Sequence, residues 1–236
     1  MFLSRLMLDP RSPAVRRDLA DRHGLHRSVM CAFPDVEEDE ARSRLGVLFR
    51  IESGDGGREL RLYVQSTEAP DWSRLPEGYL LGVPENPACR PLGAAHERLQ
   101  EGTTLAFTLA ANPTRKVGTT LKSEREAGRK ENGRRAPIRD PLQQIEWLVR
   151  KGEQGGFELL PSDRTGLPDV AVREEATIRG RRSGSGVSFS GVVYQGHLRI
   201  SNREAFMETL RGGVGPGKAY GLGLMLIAPA HSLSRA

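Results

Sequence analysis

The chain has 236 residues, of which 37% are hydrophobic, and this favours two domains of modest size over one domain with a single deep core. Its formal net charge is +5, and five lysines leave 30 arginines among the 35 basic residues. This bias favours a nucleic-acid partner, although a GC-rich genome produces it too. Two cysteines, Cys31 and Cys89, are too few for a disulfide framework or a cysteine-based metal site. Residues 1–10 lack the apolar core of a signal peptide, and no stretch reaches membrane-spanning length, so a cytoplasmic protein without a membrane partner is expected.

The first half of the chain is predicted to follow the order strand, helix, strand, strand, weak helix, strand. The residues in order are a strand at Phe2–Leu8, a helical pattern from Pro13 to Phe33 with a break at 21–24, strands at Leu45–Ile51 and Glu59–Gln65, and a helical turn within Asp71–Tyr79. Asp-Gly and Gly-Gly steps at 55–57 predict a hairpin between the two middle strands. His23 and His26 are three residues apart, so in a helix they share one face.

The second half repeats this order. Its predicted elements are a strand at Thr103–Ala110, an amphipathic helix at Asp140–Arg150, strand material at Phe157–Leu160 and Val170–Ile178, a hairpin-like pair Gly186–Tyr194 and His197–Ile200 around Gln195-Gly196, a helix at Arg203–Arg211 and a last strand at Leu222–Ala228. The pattern predicts an α+β fold of two tandem ferredoxin-like (βαββαβ, RRM-like) domains at 1–92 and 101–236, joined by a linker at 93–100.

Two basic clusters interrupt the second half. Residues 115–140 carry nine basic against four acidic side chains, a net charge of +5, and we expect this segment to be mobile when free and to order against a phosphate backbone. The second cluster leads into a flexible hairpin tip at 183–186. Each cluster alone is more often a solvated surface, whereas two clusters together with the glycine-rich residues 212–224 favour a binding site. The predicted RNA-binding residues in them are Arg115, Lys116, Arg129, Lys130, Arg134, Arg135, Arg179, Arg181 and Arg182.

A glycine-rich stretch, residues 212–224, follows the last predicted helix. Its backbone amides and Lys218 could hold a phosphate, with Gly213, Gly215 and Gly217 as the contacting positions. Alternatively, the glycines only allow a close approach to another element. Residues 212–218 fit G-x-x-x-x-G-K, but Ala219 stands where a Walker loop needs Ser or Thr, and a helix enters the loop while a strand leaves it. An ATPase is therefore excluded.

Several short segments together resemble the CasE family of CRISPR precursor-RNA endoribonucleases from type I-E systems. They are Met1-Phe2-Leu3-Ser4-Arg5, Arg17-Asp18-Leu19, Leu25-His26-Arg27, Gln65-Ser66, Pro70-Asp71-Trp72, Leu109-Ala110-Ala111-Asn112-Pro113, and residues 213–219 with 221–224. The resemblance implies two ferredoxin-like domains and metal-independent cleavage of the repeat RNA at the base of its hairpin, without a cofactor. The 2′-hydroxyl beside the scissile phosphate would attack it, and the protein would stay with the product as a Cascade subunit.

Histidine suits proton transfer near neutral pH, because its ordinary pKa is about 6.5. His26 matches the catalytic histidine of the family, whereas His23 stands where the family often has a tyrosine, so His23 is either a second acid or base or a base-stacking residue. Arg27, Arg181 and Arg182 are candidates either to stabilise the transition-state charge or to contact phosphates of the RNA. The alternative is a non-catalytic subunit that binds the RNA hairpin; an enzyme for a small nucleotide is disfavoured, since no ribose-binding acid accompanies the glycine-rich stretch.

Overall fold

The computed structural model describes residues 1–34, 44–54, 59–117, 134–175, 177–182 and 185–230. These residues form two mixed α/β halves, each built on an antiparallel sheet. None of the helices within these ranges is long and apolar enough to cross a membrane.

The first half consists of a four-stranded sheet with helices on one face. Its elements are β1 (Phe2–Leu8), α1 (Pro13–Ala20), α2 (Arg22–Met30), β2 (Leu48–Ser53), β3 (Leu60–Ser66), a 3-10 turn at Trp72–Arg74, β4 (Ala88–Pro91) and the short helix α3 (Gly93–Glu97). The strand order is β2-β3-β1-β4, and every neighbouring pair is antiparallel. The predicted weak helix is thus a single 3-10 turn, and the segment predicted as a linker begins with α3.

The main sheet of the second half arranges its strands in the same spatial order as the first sheet. Its elements are β5 (Thr104–Ala111), β6 (Thr114–Val117), β7 (Arg134–Pro137), α4 (Pro141–Gly155), β8 (Phe157–Leu159), β9 (Val170–Glu174), β10 (Ile178–Arg182), β11 (Ser185–Phe189), β12 (Val192–Ile200), α5 (Arg203–Gly212), a 3-10 turn at Lys218–Tyr220 and β13 (Met225–Pro229). The order is β13-β5-β12-β8, with β9 also paired to β12. In both halves the fourth main strand lies beside the first, followed by the third and the second.

The predicted hairpin around Gln195-Gly196 is wrong. β12 runs unbroken from Val192 to Ile200, and the hairpin lies earlier, between β10 and β11. Gly196 is in the strand because β9 passes very close: a Cβ there would overlap the carbonyl oxygen of Asp169. A glycine inside a strand marks a close backbone approach as readily as a turn, and here the close approach explains it.

The basic segment between β5 and α4 begins and ends as an antiparallel ribbon. β6 pairs with β7 in the register Arg115 with Ala136 and Lys116 with Arg135. Residues 118–133, which include Arg129 and Lys130, lie outside the described residues. The prediction that this part of the segment is mobile concerns these same residues. The structure shows that the two ends of the segment are paired strands.

Each half has its own apolar core, and both apolar and polar contacts join the two halves. The first core packs α1 and α2 on β1, β2 and β3, and the second packs α4 and α5 on β5, β8, β12 and β13. Between the halves, the buried Gln65 side chain of β3 donates from Nε2 to the carbonyl oxygen of Leu210 in α5 at 2.7 Å. A smaller third core joins β10, β12 and the last 3-10 turn through Ile178, Val193 and Tyr220.

The angle between α1 and α2 depends on one buried carboxylate. Asp18 of α1 is 1% exposed and accepts hydrogen bonds from Ser28 Oγ of α2 at 2.5 Å and from the Tyr79 hydroxyl at 2.9 Å. Burial, and then the charge of Asp18, raise the pKa of Tyr79 well above its ordinary value, so the phenol keeps its proton. Asp18 therefore fixes α2, and with it His23 and His26, against the first core.

Replacing Asp18 with Ala should lower the free energy of unfolding by about 2–4 kcal/mol, because the buried hydroxyl of Tyr79 loses its acceptor. Urea unfolding followed by circular dichroism measures this change. Asp163→Ala is the matched control, since Asp163 is exposed and its loss should change the free energy by less than about 0.5 kcal/mol. Equal stability of the two variants would contradict the role given to Asp18.

Candidate active site

The two predicted histidines lie on the first two turns of α2. Asp21 ends α1 and caps α2: its side chain accepts a hydrogen bond from the backbone N-H of His23 at 3.1 Å. Leu25 and Val29 are buried in the first core, which leaves His23 and His26 half-buried on an adjoining face. Their ring centroids are 6.5 Å apart, so both imidazoles can reach groups of one bound substrate.

An aromatic neighbour positions each imidazole. The ring of His26 stacks on Phe49 of β2, with centroids 6.1 Å apart and an interplanar angle of 17°. The ring of His23 lies 6.5 Å from that of Tyr220, in the 3-10 turn of the glycine-rich stretch. The first half of the chain therefore supplies both histidines and Phe49, and the second half supplies Tyr220.

Tyr220 is held between the β10–β11 hairpin and α2. Its ring packs on Phe189 of β11, with centroids 4.7 Å apart, and on the backbone of β10 at Gly180. A Cβ on Gly180 would overlap Cε1 of Tyr220, so only glycine leaves room for the ring at this position. The position of the hairpin and that of the tyrosine are therefore linked.

The glycine-rich stretch packs closely against both halves of the chain. Five of its amides donate within the protein: Gly213 to Thr209, Val214 to Gly223, Tyr220 to Gly217, Gly221 to Lys218 and Gly223 to Ala110. A Cβ on Gly221, whose φ is 84°, would lie 3.1 Å from Phe49, and one on Gly213 would lie 2.9 Å from Leu48. This geometry supports the interpretation that the glycines allow a close approach. Only Lys218 and the amides other than these five remain candidates for anion binding within the stretch.

A cavity of about 430 Å³ beside the glycine-rich stretch is lined by three basic side chains, Lys218, Arg135 and Lys151. Gly213 and Gly215 also line this cavity, but Gly217 does not. Lys151 belongs to α4, and its Nζ donates to Gln154 Oε1 at 3.0 Å. Three cations around one cavity make it a suitable place for a phosphate group.

Apart from Arg135, which lines that cavity, the other predicted RNA-binding residues fall on separate surfaces. Arg27 is exposed on α2, Arg115 and Lys116 are exposed on β6, and Arg179 is exposed on β10. Arg135 of β7 donates to Thr114 Oγ1 at 3.3 Å. Arg134 lies on β7, and Arg181 and Arg182 lie on β10; the side chains of these three are outside the described part of the structure. Because β10 packs against α2, the basic hairpin lies beside the histidines, whereas β6 and β7 form a separate ribbon.

Sequence reasoning gave no site role to Tyr220, Phe49 or Lys151. A tyrosine two residues after Lys218 in a glycine-rich stretch is a visible signal, since such a large ring needs glycines around it. Phe49 and Lys151 carry no comparable signal, because an aromatic residue in a strand and a lysine in a helix are ordinary. Among the described residues, no three His, Cys, Asp or Glu side chains come together so that they could hold a metal ion.

These features define a class of protein: a basic α/β protein in which a histidine pair, suited to proton transfer, lies beside an arginine-bearing hairpin. Residues 1–229 match the family described as CRISPR associated protein, and the chain belongs to the CasE branch of that family. A relative from Thermus thermophilus, named CRISPR-associated endoribonuclease Cse3, is 36% identical over 235 residues, which is 97% of this chain and 100% of that protein. Another from Escherichia coli, named CRISPR system Cascade subunit CasE, is 27% identical over 97% of this chain and 100% of its own length.

Solved structures agree with this assignment. A structure of Cse3 bound to a 19 nt RNA has a TM-score of 0.78 and 34% identity, and the match covers 97% of this chain and 100% of that one. A complex of Thermus thermophilus Cse3 with an RNA that represents a pre-cleavage state has a TM-score of 0.76 and 34% identity, with 97% and 98% covered. Cas6e from Escherichia coli, at 22% identity and a TM-score of 0.66, shows the same fold.

Replacing Gly180 with Ala should displace the Tyr220 ring and lower the free energy of unfolding by about 1–3 kcal/mol, because the new methyl group overlaps the ring. Gly186→Ala is the matched control in the same hairpin, since a Cβ there meets nothing within 4 Å. Its change should stay within about 0.5 kcal/mol. Urea unfolding measures both variants, and a Gly180→Ala protein as stable as the control would contradict the close contact.

Proposed function

We propose that this protein is a metal-independent endoribonuclease that cleaves CRISPR precursor RNA within its repeats to give guide RNA. The observation that carries the proposal is the position of His26 on α2, 6.5 Å from His23 and stacked on Phe49, at the junction of the two halves. The similarity to a relative named an endoribonuclease, over 97% of this chain, supports it. The tyrosine that the family often has at position 23 is replaced here by His23.

The proposed reaction uses the RNA's own 2′-hydroxyl and needs only proton transfer and charge stabilisation from the protein. One imidazole removes the proton of the 2′-hydroxyl while the O2′–P bond forms. The P–O5′ bond breaks, and the leaving oxygen receives a proton from a protonated imidazole. The products are a 2′,3′-cyclic phosphate and a 5′-hydroxyl, so atoms and charge balance without a cofactor. We assign the principal acid or base role to His26 and a supporting role to His23.

We infer that both halves are ferredoxin-like domains, at 1–92 and 101–236, joined by residues 93–100. The shared order of the two sheets, with the fourth main strand beside the first and then the third and the second, supports this inference. In the first domain the 3-10 turn at Trp72–Arg74 takes the place of the second helix. Folds of this type carry RNA on their sheets and edges.

We propose that the RNA is a repeat hairpin and that its phosphates contact the basic surfaces around α2. The proposed phosphate contacts nearest the histidines are Arg27, Arg179, Arg181, Arg182 and Lys218. Arg135 would act with Lys218 at the cavity that both line, and Arg115, Lys116, Arg129, Lys130 and Arg134 would follow the RNA further from the scissile bond. We further propose that the product stays bound and that the protein acts as a Cascade subunit, which the name of the Escherichia coli relative supports.

His26→Ala should reduce the cleavage rate by about 10²–10⁴-fold, the usual contribution of a general acid or base. The assay is single-turnover cleavage of an end-labelled repeat hairpin in EDTA. A substrate with one deoxy sugar at the scissile site should stay intact while it still binds. His197→Ala is the matched histidine control, because His197 lies on β12 with its Nε2 3.1 Å from the carbonyl oxygen of Ala230, away from α2.

The outcomes separate the proposal from its alternative. Cleavage by His26→Ala at the rate of the wild type would move the chemistry to His23 or another residue. A wild type that binds the hairpin in EDTA without cutting it would point to a non-catalytic hairpin-binding subunit. Loss of cleavage in the chelator alone, restored by a divalent metal, would refute the metal-independent mechanism.

Lys218→Gln should weaken binding of the repeat hairpin and lower the slope of log K against log salt concentration by roughly 0.7–1, the effect of removing one phosphate contact. Fluorescence anisotropy titrations across a range of salt concentrations give this slope. Arg164→Gln is the control, since Arg164 is exposed in the loop after β8 and should leave the slope unchanged. An unchanged slope for Lys218→Gln would place Lys218 outside the RNA interface.

A further inference from the structure

A second arginine-lined cleft lies between the two halves of the protein, apart from the glycine-rich stretch. Its volume is about 900 Å³, and it is bounded by α1, α2 and β2 on one side and by β9, β10 and β12 on the other. Four arginines and two glutamates line it, which leaves a net charge of +2: Arg22, Arg50, Arg173, Arg179, Glu52 and Glu175.

The distinguishing feature of the cleft is Arg50 of β2. This residue is 4% exposed, and its Nη2 forms one ion pair, with Glu52 Oε1 at 3.1 Å. Its Nε and Nη1 atoms are buried and have no hydrogen-bond partner among the residues that the structure describes. A buried N-H without an acceptor costs free energy, and the cost is greater when the group is charged. Arg50 therefore presents donors that an acceptor in the cleft would satisfy.

The surroundings of Arg50 favour an anion as that acceptor. Burial lowers the pKa of Arg50, and Glu52 and then Glu175 act in the opposite direction; an arginine nevertheless keeps its charge at neutral pH. Burial also lowers the pKa of Arg22, again opposed by Glu175. Glu52 pairs with Arg50, and Glu175 acts on Arg22 and Arg50 through its charge, but two carboxylates do not neutralise four guanidinium groups. A phosphate, which has several acceptor oxygens, matches the unused donors of Arg50.

The cleft begins next to the candidate active site. Arg22 directly precedes His23 on α2, and Arg179 directly precedes Gly180, on which the ring of Tyr220 lies. Ala20 and Arg179 also line a second groove, which runs along Asp21 and the β10–β11 hairpin. A chain that leaves the histidines can therefore continue along these grooves into the cleft.

We propose that this cleft binds a phosphate of single-stranded RNA adjoining the hairpin, with Arg50 as the buried contact and Arg22, Arg173 and Arg179 around it. The inference rests on the proposed RNA substrate, and it adds a second binding region for that substrate. The strand is single because the phosphate must reach a side chain that is 4% exposed, and a duplex is too broad to bring its backbone to the floor of such a cleft.

The test measures binding of a labelled oligouridylate that is too short to form a hairpin, by fluorescence anisotropy, with Arg50→Met and Arg173→Gln. Each substitution should weaken binding about tenfold or more, as expected for loss of a charged hydrogen bond. Arg199→Gln is the control, because Arg199 is exposed near the far end of β12 and pairs with Glu158. Its affinity should equal that of the wild type. Hairpin cleavage is measured in parallel on the same proteins.

The two proposals fail in different ways. Oligouridylate binding that depends on Arg50 and Arg173, in a protein that does not cut the hairpin, supports the cleft and overturns the proposed function. Hairpin cleavage by a wild type whose oligouridylate binding is absent, or is unaffected by both substitutions, overturns the cleft and leaves the proposed function in place. If inorganic phosphate binds with the same dependence on Arg50 but the oligouridylate does not bind, the RNA assignment is overturned.

A stability measurement separates binding from a structural role. Since two buried donors of Arg50 lack partners among the described residues, Arg50→Met should unfold at the same urea midpoint as the wild type or at a higher one. Weakened RNA binding together with an unchanged or raised midpoint supports a ligand-binding arginine. A lowered midpoint for Arg50→Met, with normal RNA binding by Arg173→Gln, would make Arg50 a structural residue and overturn the proposal.

Discussion

The contact between the ring of Tyr220 and the backbone at Gly180 brings together three parts of the chain that are remote in sequence. It fixes the β10–β11 hairpin against the glycine-rich stretch, and the same tyrosine lies 6.5 Å from the ring of His23 on α2. The hairpin carries arginines and α2 carries the histidines. This apolar contact therefore helps to set how far the positive charge lies from the histidines that we propose as proton-transfer groups.

Two different kinds of support hold the histidines. On one side, the buried carboxylate of Asp18 fixes α2 to α1 through hydrogen bonds, and a small change of geometry there leaves polar groups unsatisfied. On the other side, Phe49 and Tyr220 hold the imidazoles through ring contacts, which tolerate small shifts. The helix is thus held to its own half by the hydrogen bonds of Asp18 and by the stacking of His26 on Phe49, while the ring contact of Tyr220 comes from the second half.

The sequence predicted the elements better than their contacts. The spacing of Val15, Leu19, Leu25 and Val29 predicted a helical pattern with a break at 21–24. The structure confines the break to Asp21, so that His23 and His26 both lie on α2. The pairing of His26 with Phe49 was beyond sequence reasoning, because it depends on how α2 crosses β2. Gly196 was misread as a turn, since a glycine required by a neighbouring strand looks the same in sequence as one required by a reversal of the chain.

Arg50 was missed for a related reason: one arginine in a strand pattern resembles an outward-facing residue until the second half of the protein covers that face. Arg50 is buried because of the way the two halves pack together, and a local sequence pattern carries no information about that packing.

The order of residues along the chain also has a consequence for synthesis. His23 and His26 are synthesised well before Tyr220, which completes the ring contacts around His23. Domains fold from the N-terminus as the ribosome releases them, so the first half can reach its native packing while the site still lacks one of its walls. The complete arrangement forms only once Tyr220 has also emerged, so the site appears later than the first core that carries the histidines.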